Sequence, residues 1–341
     1  MTAPHEMNRR AFMKSTAAAT ATAAVATTTQ AKDSQDDGLI HRNERDGMPY
    51  RKLGRTNFLC SRLVFGGGAA LVGGRGVRLL EVAFDAGVNF YDLGSDVFYK
   101  GSERAFAPFL ARHRGEIWVT SKAPLRPVDG HEPGKPLTAA QGKFLADYWS
   151  GLLDASLADL GTDYVDAYYL MQVNDPAVIR CEELHEAFLK AKQAGKVGHW
   201  GVSTHNQAQH VLEAMIETDW YDLAMIAITP AGWYDYHTFR LMEGTPAMVD
   251  LQPILQRARE AGIGLVGMKA ARYLGGKEQE NAFDGHYSEK VLQSGLSPWQ
   301  RAYAYVLAHG VDVVNSDMQN LALIKENIVA VQRSAELFAT A

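Results

Sequence analysis

The strongest constraint on the fold is a regular alternation of short apolar runs with longer amphipathic stretches. It begins at Leu63 and continues almost to the end of the 341-residue chain. The short runs have the length of buried strands, and the longer stretches place apolar residues at helical spacing. Eight strand–helix units follow one another in this way, which suits a closed barrel of parallel strands. The pattern therefore predicts an α/β fold, a (β/α)8 TIM barrel in a single domain.

The positions of the predicted strands also locate the functional face. They span residues 63–66, 89–92, 117–121, 165–170, 198–202, 223–228, 264–268 and 311–314. Three long connections, at residues 123–142, 229–249 and 271–296, each follow a strand. In a barrel such connections lie on the catalytic face.

An open, doubly wound sheet is the competing architecture. That fold carries a Gly-x-Gly-x-x-Gly turn between a strand and the next helix. The glycines at 66–68 and 73–74 do not have this spacing. The barrel is therefore favoured over the open sheet.

The first 31 residues differ in composition from the rest of the chain. Arg9 and Arg10 are followed by Lys14 and then by a stretch rich in Ala, Thr and Val at residues 15–29. This arrangement resembles a bacterial twin-arginine export signal, with small residues before a cleavage site after Ala31. We expect residues 1–31 to be a signal read by the twin-arginine export machinery and the protein to be periplasmic or otherwise exported. The alternative is an Ala-rich tail with a chance arginine pair.

Four further expectations follow from composition. Residues 32–47 are polar and are expected to be a linker before a barrel at 48–338. The apolar part of the signal is too short and too mild for a stable membrane span. The net charge of −5 disfavours a nucleic-acid partner, and we expect the partner to be a small-molecule substrate. Cys60 and Cys181 are expected to be buried apolar residues.

Three polar residues are expected to meet at the catalytic rim. Asp92 ends the second strand, Lys122 ends the third, and Tyr99 lies in the loop between them. Tyrosine is a poor acid at neutral pH, but an adjacent ammonium group lowers its pKa. An aspartate beside the lysine would fix its position. Such a tyrosine could protonate an alkoxide as hydride reaches a carbonyl carbon.

Several segments, in the right order, resemble the aldo-keto reductase family. Its second-strand signature is similar to residues 85–92 (DAGVNFYD), and its third-strand lysine to residues 120–122 (TSK). Further similar segments are 50–54 (YRKLG), 100–103 (KGSE), 156–166 (SLADLGTDYVD), 195–197 (GKV), 201–203 (GVS) and 326–327 (EN). The resemblance implies a nicotinamide cofactor held without a Rossmann fold. It also implies a catalytic group of Asp92, Tyr99, Lys122 and a histidine.

The histidine is where the sequence departs from this pattern. The aligned position is Met171, and a thioether cannot donate a hydrogen bond. Gln172 is one residue away and would face the other side of a regular strand. His205 and His237 are candidates to replace the missing group, although each can also be a packing or surface residue. Tyr99 also lies seven residues after Asp92 where the family usually has five, which we interpret as a two-residue insertion.

The resemblance also implies the cofactor-binding positions. They are Ser203, Thr204, Lys269, Ser316, Asp317 and Asn327, with Lys269 assigned to the pyrophosphate and Asn327 to the adenine end. Thr204 replaces an asparagine, and Met225 and Ile228 stand where residues that hold and stack on nicotinamide are expected. Asp317 would repel a 2′-phosphate. The cofactor is therefore NAD or NADP, with NAD favoured.

The sequence leaves three functions open, the third of which is barrel chemistry that uses the space of the missing histidine for another substrate. The first is a nicotinamide-dependent oxidoreductase that reduces a carbonyl or oxidises an alcohol. The second is a nucleotide- or ligand-binding barrel with little or no reductase activity, because Met171 replaces the histidine. Trp233, Tyr234 and Tyr236 either wall a substrate pocket or pack against the barrel rim. No metal-binding motif is present in the sequence.

Overall fold

Eight of the strands in the computed structural model form a closed parallel barrel. The structure describes residues 38–276, 279–316 and 318–338. The strands are β1 (Tyr50–Lys52), β2 (Leu59–Ser61), β3 (Leu63–Gly66), β4 (Phe90–Asp92), β5 (Trp118–Pro124), β6 (Val165–Met171), β7 (Val197–Thr204), β8 (Leu223–Thr229), β9 (Gly232–Asp235), β10 (Arg240–Leu241), β11 (Gly264–Met268) and β12 (Val313–Ser316). The barrel order is β3-β4-β5-β6-β7-β8-β11-β12, and β12 pairs with β3 to close the ring. The predicted (β/α)8 TIM barrel is confirmed.

Helices follow the barrel strands on the outside. They are α1 (Gly67–Ala70), α2 (Arg78–Asp85), α3 (Asp96–Tyr99), α4 (Ser102–His113), α5 (Ala139–Leu160), α6 (Pro176–Ile179), α7 (Glu182–Gln193), α8 (Ala208–Thr218), α9 (Gln252–Glu260), α10 (Glu289–Leu292), α11 (Pro298–Ala308) and α12 (Leu321–Phe338). The longest, α5, begins with a reciprocal capping box between Thr138 and Gln141 and ends at Gly161, whose φ of 65° suits glycine.

The barrel interior is filled by alternate residues of the strands. Phe90, Trp118, Tyr169 and Val266 belong to this inner cluster. The β1–β2 hairpin adds Phe58, whose ring stacks on Trp118 at 4.7 Å between centroids. The interior is thus a packed core rather than a channel, as in other barrels of this type.

The packed domain begins earlier than the sequence predicts. Residues 32–47 are polar and were expected to be a linker, but the compact unit extends from Gly38. Arg42 donates to Asp166 at 2.8 Å, and the Asn43 side chain donates to the Phe84 carbonyl at 2.8 Å. These polar side chains satisfy groups of the barrel instead of facing solvent. The predicted signal at 1–31 and residues 32–37 lie outside the described residues.

The long connection at residues 229–249 contains a hairpin that the sequence did not indicate. Strand β9 pairs antiparallel with the end of β8, with Ile228 opposite Trp233. Strand β10 then pairs with β9. The sixth barrel strand is thereby extended, and the hairpin lies at the catalytic end of the barrel.

Candidate active site

A buried ion pair stands at the carboxyl ends of β4 and β5. Asp92 and Lys122 both point into the barrel, and each side chain is 5% exposed. The Lys122 Nζ lies 2.5 Å from Asp92 Oδ1 and also donates to the Leu93 carbonyl. Asp92 and Lys122 are therefore in contact, as the sequence predicts.

Two further side chains hold Asp92, and the sequence analysis did not identify them. Thr120 Oγ1 donates to Asp92 Oδ1 at 2.8 Å, and Asn315 Nδ2 donates to Asp92 Oδ2 at 2.5 Å. Both carboxylate oxygens are thus occupied by donors, so a single geometry is favoured. The sequence does carry a signal for them. Thr120 and Asn315 are polar residues at strand positions whose alternation predicts an inward-facing side chain.

Tyr99 ends the short helix α3, and its ring lies in a slot lined by two glycines. A Cβ on Gly94 would lie 2.5 Å from the Tyr99 ring, and a Cβ on Gly68 would lie 2.9 Å from it. The Ser95 hydroxyl caps α3 by accepting from the Val97 N–H. Among the described residues, no side chain forms a hydrogen bond with the Tyr99 hydroxyl, which leaves this group for a ligand.

The pKa of Tyr99 departs from the sequence expectation. We expected the ammonium of Lys122 to lower it. Burial instead raises the pKa of Tyr99, and the negative charge of Asp92 raises it further. Lys122 does not offset these effects, because its charge is matched by the carboxylate that it contacts. The Tyr99 hydroxyl is consequently protonated at neutral pH.

Met171 occupies the position at which the resemblance implies a histidine. It is the last residue of β6, is 2% exposed, and has the same inward parity as Tyr169. In the strand register it lies beside Ser203 of β7. Gln172 follows with a left-handed φ of 60°, so the strand ends before it.

Of the two candidate replacements, His205 is buried in the site and His237 is not. His205 is 5% exposed, and its ring centroid lies 4.8 Å from that of Tyr236. Burial lowers the pKa of His205 to about 3, helped by the positive charges of Lys269, His237 and Lys122. His237 is exposed near the tip of the β9–β10 hairpin.

The aromatic residues of the hairpin divide between two cores. Trp233 is buried in the core outside the barrel, whereas Tyr234 is buried in the inner cluster. Tyr236 packs partly against the inner cluster and faces His205. The Lys269 ammonium lies 4.5 Å from the centroid of the Tyr236 ring. Only Tyr236 of the three thus stands among the polar residues of the site.

Ser203 and Thr204, the predicted binding pair on β7, have different surroundings. Ser203 is 2% exposed and lies between Met171 and Met225 in the sheet register. The Thr204 hydroxyl lies 2.8 Å from the Asn174 side-chain oxygen and also contacts the Asn206 carbonyl. Its proton is therefore used within the loop that follows the strand.

The other predicted cofactor positions form two places on the same end of the barrel. Lys269 directly follows β11 with a φ of 64° and affects His205 electrostatically. Ser316 ends β12, and its hydroxyl accepts a hydrogen bond from Asn327 of α12 at 3.2 Å. Asp317 lies outside the described residues.

One carboxylate cluster in the described residues has the spacing of a cation site. Ligand atoms of Asp96, Glu103 and Asp159 all lie within 4.8 Å of one another. The guanidinium of Arg104 pairs with Asp96 at 3.0 Å and with Asp159 at 3.2 Å. The cluster thus already contains a positive group, and we assign no metal to it.

No helix in the part of the chain that the structure describes is long and apolar enough to cross a membrane.

Comparisons with known proteins bear on this geometry. The model of the Aldo/keto reductase family matches residues 75–339. The L-glyceraldehyde 3-phosphate reductase of Escherichia coli (strain K12) is 26% identical over 279 residues, covering 75% of this chain and 72% of that protein. The uncharacterized oxidoreductase YqkF of Bacillus subtilis (strain 168) is 25% identical over 303 residues, covering 83% and 91%.

A solved structure shares the fold. The holo form of the aldo-keto reductase AKR11C1 from Bacillus halodurans superposes with a TM-score of 0.59 at 22% identity, covering 86% of this chain and 97% of that one. At this identity the likeness supports the barrel alone. The family match runs from just before α2 to the end of α12 and so includes most of the barrel. From this we conclude that the chain belongs to the aldo/keto reductase family.

Proposed function

We propose that this oxidoreductase works chiefly as a carbonyl reductase, with Tyr99 as the proton donor. The observation that carries the proposal is the buried Asp92–Lys122 pair, whose carboxylate acts on Tyr99, together with a Tyr99 hydroxyl that no described side chain engages. When bound, a reduced nicotinamide supplies hydride to the carbonyl carbon. The residues of the chain then have to hold the carbonyl and deliver one proton to its oxygen.

The raised pKa of Tyr99 favours reduction over oxidation. A hydroxyl that keeps its proton can give it to an alkoxide, which is a much stronger base. Alcohol oxidation would need the phenolate, which burial and Asp92 both disfavour. Lys122 holds Asp92 in place and limits its repulsion of a developing alkoxide charge. We therefore assign Lys122 and Asp92 to positioning and to charge balance around the transferred proton.

The side chains at the mouth suit a nicotinamide dinucleotide. Ser203 and Asn206 would serve the nicotinamide carboxamide, because the Asn206 side-chain oxygen is buried without a hydrogen-bond partner. Lys269 supplies a cation for the pyrophosphate, and the Ser316–Asn327 pair would bind at the adenine end. The charge of Asp317 in the sequence supports NAD over NADP. An Asp317→Lys variant should then gain affinity for NADPH relative to NADH.

The first test is cofactor binding by the full chain, followed by turnover. NADH and NADPH are titrated separately while the fluorescence of the six tryptophans is recorded. Oxidation of the bound cofactor is then followed with 4-nitrobenzaldehyde and with L-glyceraldehyde 3-phosphate, the compound in the name of the Escherichia coli relative. Saturable binding with multiple turnovers supports the proposal. Binding without turnover of any carbonyl in a wider aldehyde and ketone panel overturns it and leaves a binding barrel.

We further propose that residues 1–31 direct export through the twin-arginine machinery, although they lie outside the described residues. The paired Arg9 and Arg10 before a mild apolar stretch support this. Lysine replacement of both arginines, Arg9→Lys and Arg10→Lys, should abolish the periplasmic fraction in a bacterial host. A Lys143→Gln variant on the exposed surface of α5 is the control. Equal fractionation of both variants would contradict the proposal.

A further inference from the structure

His205 is held at the mouth of the barrel by its position on β7. Gly201 and Ser203 both face the barrel interior, because alternate residues of a strand lie on the same face. His205 has the same parity and lies one residue beyond the end of the strand. Among the histidines of the described residues it is the one that is buried. Ser203 pairs with Met171, which stands at the position of the family's histidine. His205 is therefore the next inward-facing residue after the strand neighbour of Met171.

The main chain of His205 is fixed without using the imidazole nitrogens. Its N–H donates to the Asn174 side-chain oxygen at 3.2 Å, and its carbonyl accepts from the Tyr236 N–H at 3.1 Å. The ring contacts Tyr236, yet its Nδ1 is buried with no hydrogen-bond partner in the structure. A buried polar atom left without a partner lowers the stability of the folded state. Such an atom at the mouth of a site is available to a partner that arrives with the ligand.

Burial, and then the charges around it, keep the ring of His205 neutral. Lys269, His237 and Lys122 act on it from three different elements, and Tyr236 packs on its face. A neutral imidazole has one N–H donor and can polarise a carbonyl without adding a charge to the site. The Lys122 that acts on His205 is the same residue that pairs with Asp92.

We propose that a ring N–H of His205 donates a hydrogen bond to the carbonyl oxygen of the substrate, the role that the thioether of Met171 cannot fill. This inference rests on the proposed function. In the reaction the carbonyl becomes an alcohol. Its carbon gains hydride from the reduced nicotinamide, which is thereby oxidised, and its oxygen gains the proton of Tyr99 as the C=O π bond breaks. His205 keeps its proton and stabilises the negative charge that develops on oxygen.

The test uses two substitutions that separate hydrogen bonding from packing. His205→Phe keeps an aromatic ring against Tyr236 and removes the donor, whereas His205→Gln keeps a donor. With 4-nitrobenzaldehyde, kcat should fall about 100-fold for His205→Phe and less for His205→Gln. The dissociation constant of the reduced cofactor should be unchanged for both. His210→Gln, at an exposed position of α8, is the control for histidine replacement.

A rescue experiment distinguishes a donor from a structural role. Met171→His in the His205→Phe background returns an imidazole to the β6 position and should recover at least about tenfold in kcat. Full kcat in His205→Phe overturns the inference, and so does a loss of kcat that Met171→His does not recover. The wild-type protein is assayed beside the variants. If the wild-type protein turns over and His205→Phe has the same kcat, the His205 inference fails and the proposed function stands. If the wild-type protein shows no turnover, the proposed function fails as well.

Discussion

The Lys122 ammonium nitrogen lies 2.5 Å from a carboxylate oxygen of Asp92, and both side chains are almost completely buried. This contact ties the second and third barrel strands together at the catalytic end. It also affects the electrostatic surroundings of Tyr99. The positive charge of Lys122 is matched by Asp92, so the tyrosine beside them experiences burial and a nearby carboxylate rather than a free cation.

The ion pair should be important for stability because it is buried. Asp92→Asn leaves the Lys122 ammonium without its counterion in the barrel interior, which should lower the free energy of unfolding by about 3–5 kcal/mol. Asp147→Asn in the exposed Lys143–Asp147 pair is the matched control and should cost less than about 0.5 kcal/mol. Urea unfolding followed by circular dichroism measures both. Equal losses in the two variants would show that burial of the pair has little effect.

The pH profile of reduction should be flat through neutral pH. The pKa of Tyr99 is raised above its ordinary value, so the hydroxyl keeps its proton as the pH rises through the neutral range. The pKa of His205 is lowered to about 3, so that ring is already neutral above about pH 5. We expect kcat for reduction to vary less than about twofold between about pH 6 and 9. The rate of alcohol oxidation should rise with pH over this range. A fall in the kcat of reduction with a midpoint near pH 8 would mean that the pKa of Tyr99 is lowered rather than raised.

The glycine slot should be required for the position of Tyr99. In Gly94→Ala the new methyl group would come 2.5 Å from the tyrosine ring and displace it, because the three nearest atoms all belong to that ring. We expect kcat to fall by about 10- to 100-fold, while cofactor binding is retained. Gly151→Ala on α5 has open space at its Cβ and should leave kcat unchanged. It should also stabilise the protein slightly, by up to about 1 kcal/mol. Full activity of Gly94→Ala would place Tyr99 outside the reaction.

Asn174 should act as a positioning residue for the loop after β7. Its side-chain oxygen accepts from the Thr204 hydroxyl and from the N–H groups of His205 and Asn206. Asn174→Leu removes this acceptor and should lower kcat about tenfold, with KM changed less. Asn174→Asp keeps an acceptor at the same place and should recover most of the activity. If Asn174→Leu and Asn174→Asp have the same kcat, the three hydrogen bonds do not position the catalytic residues.

The barrel was predictable from the sequence because each strand and helix carries its own periodic pattern. Strands β3 and β11 begin and end where the apolar runs predict, at Leu63–Gly66 and Gly264–Met268. The pairing of Asp92 with Lys122 followed from the rule that parallel strands bring their carboxyl ends to one rim. Both buried cysteines also agree with their expected apolar role.

The remaining features depend on contacts between distant segments. Asn315 reaches Asp92 across 223 positions of sequence, and no local pattern shows this. The pKa of Tyr99 depends on how deeply the ring is buried and on which charge it meets, so its direction could not be obtained from composition. Residues 38–47 are polar by composition but dock through specific hydrogen bonds such as those of Arg42 and Asn43.

The most direct test of this account is the turnover of Tyr99→Phe, which removes one hydroxyl and leaves the ring in its slot. Oxidation of NADH and of NADPH is followed with 4-nitrobenzaldehyde for the wild type, Tyr99→Phe and Tyr148→Phe. Tyr148 lies on α5, on the outside of the barrel, and packs against Phe144. The account predicts a loss of at least about 100-fold in kcat for Tyr99→Phe, with cofactor affinity unchanged and Tyr148→Phe equal to the wild type. Wild-type kcat in Tyr99→Phe would contradict the assignment of the proton donor.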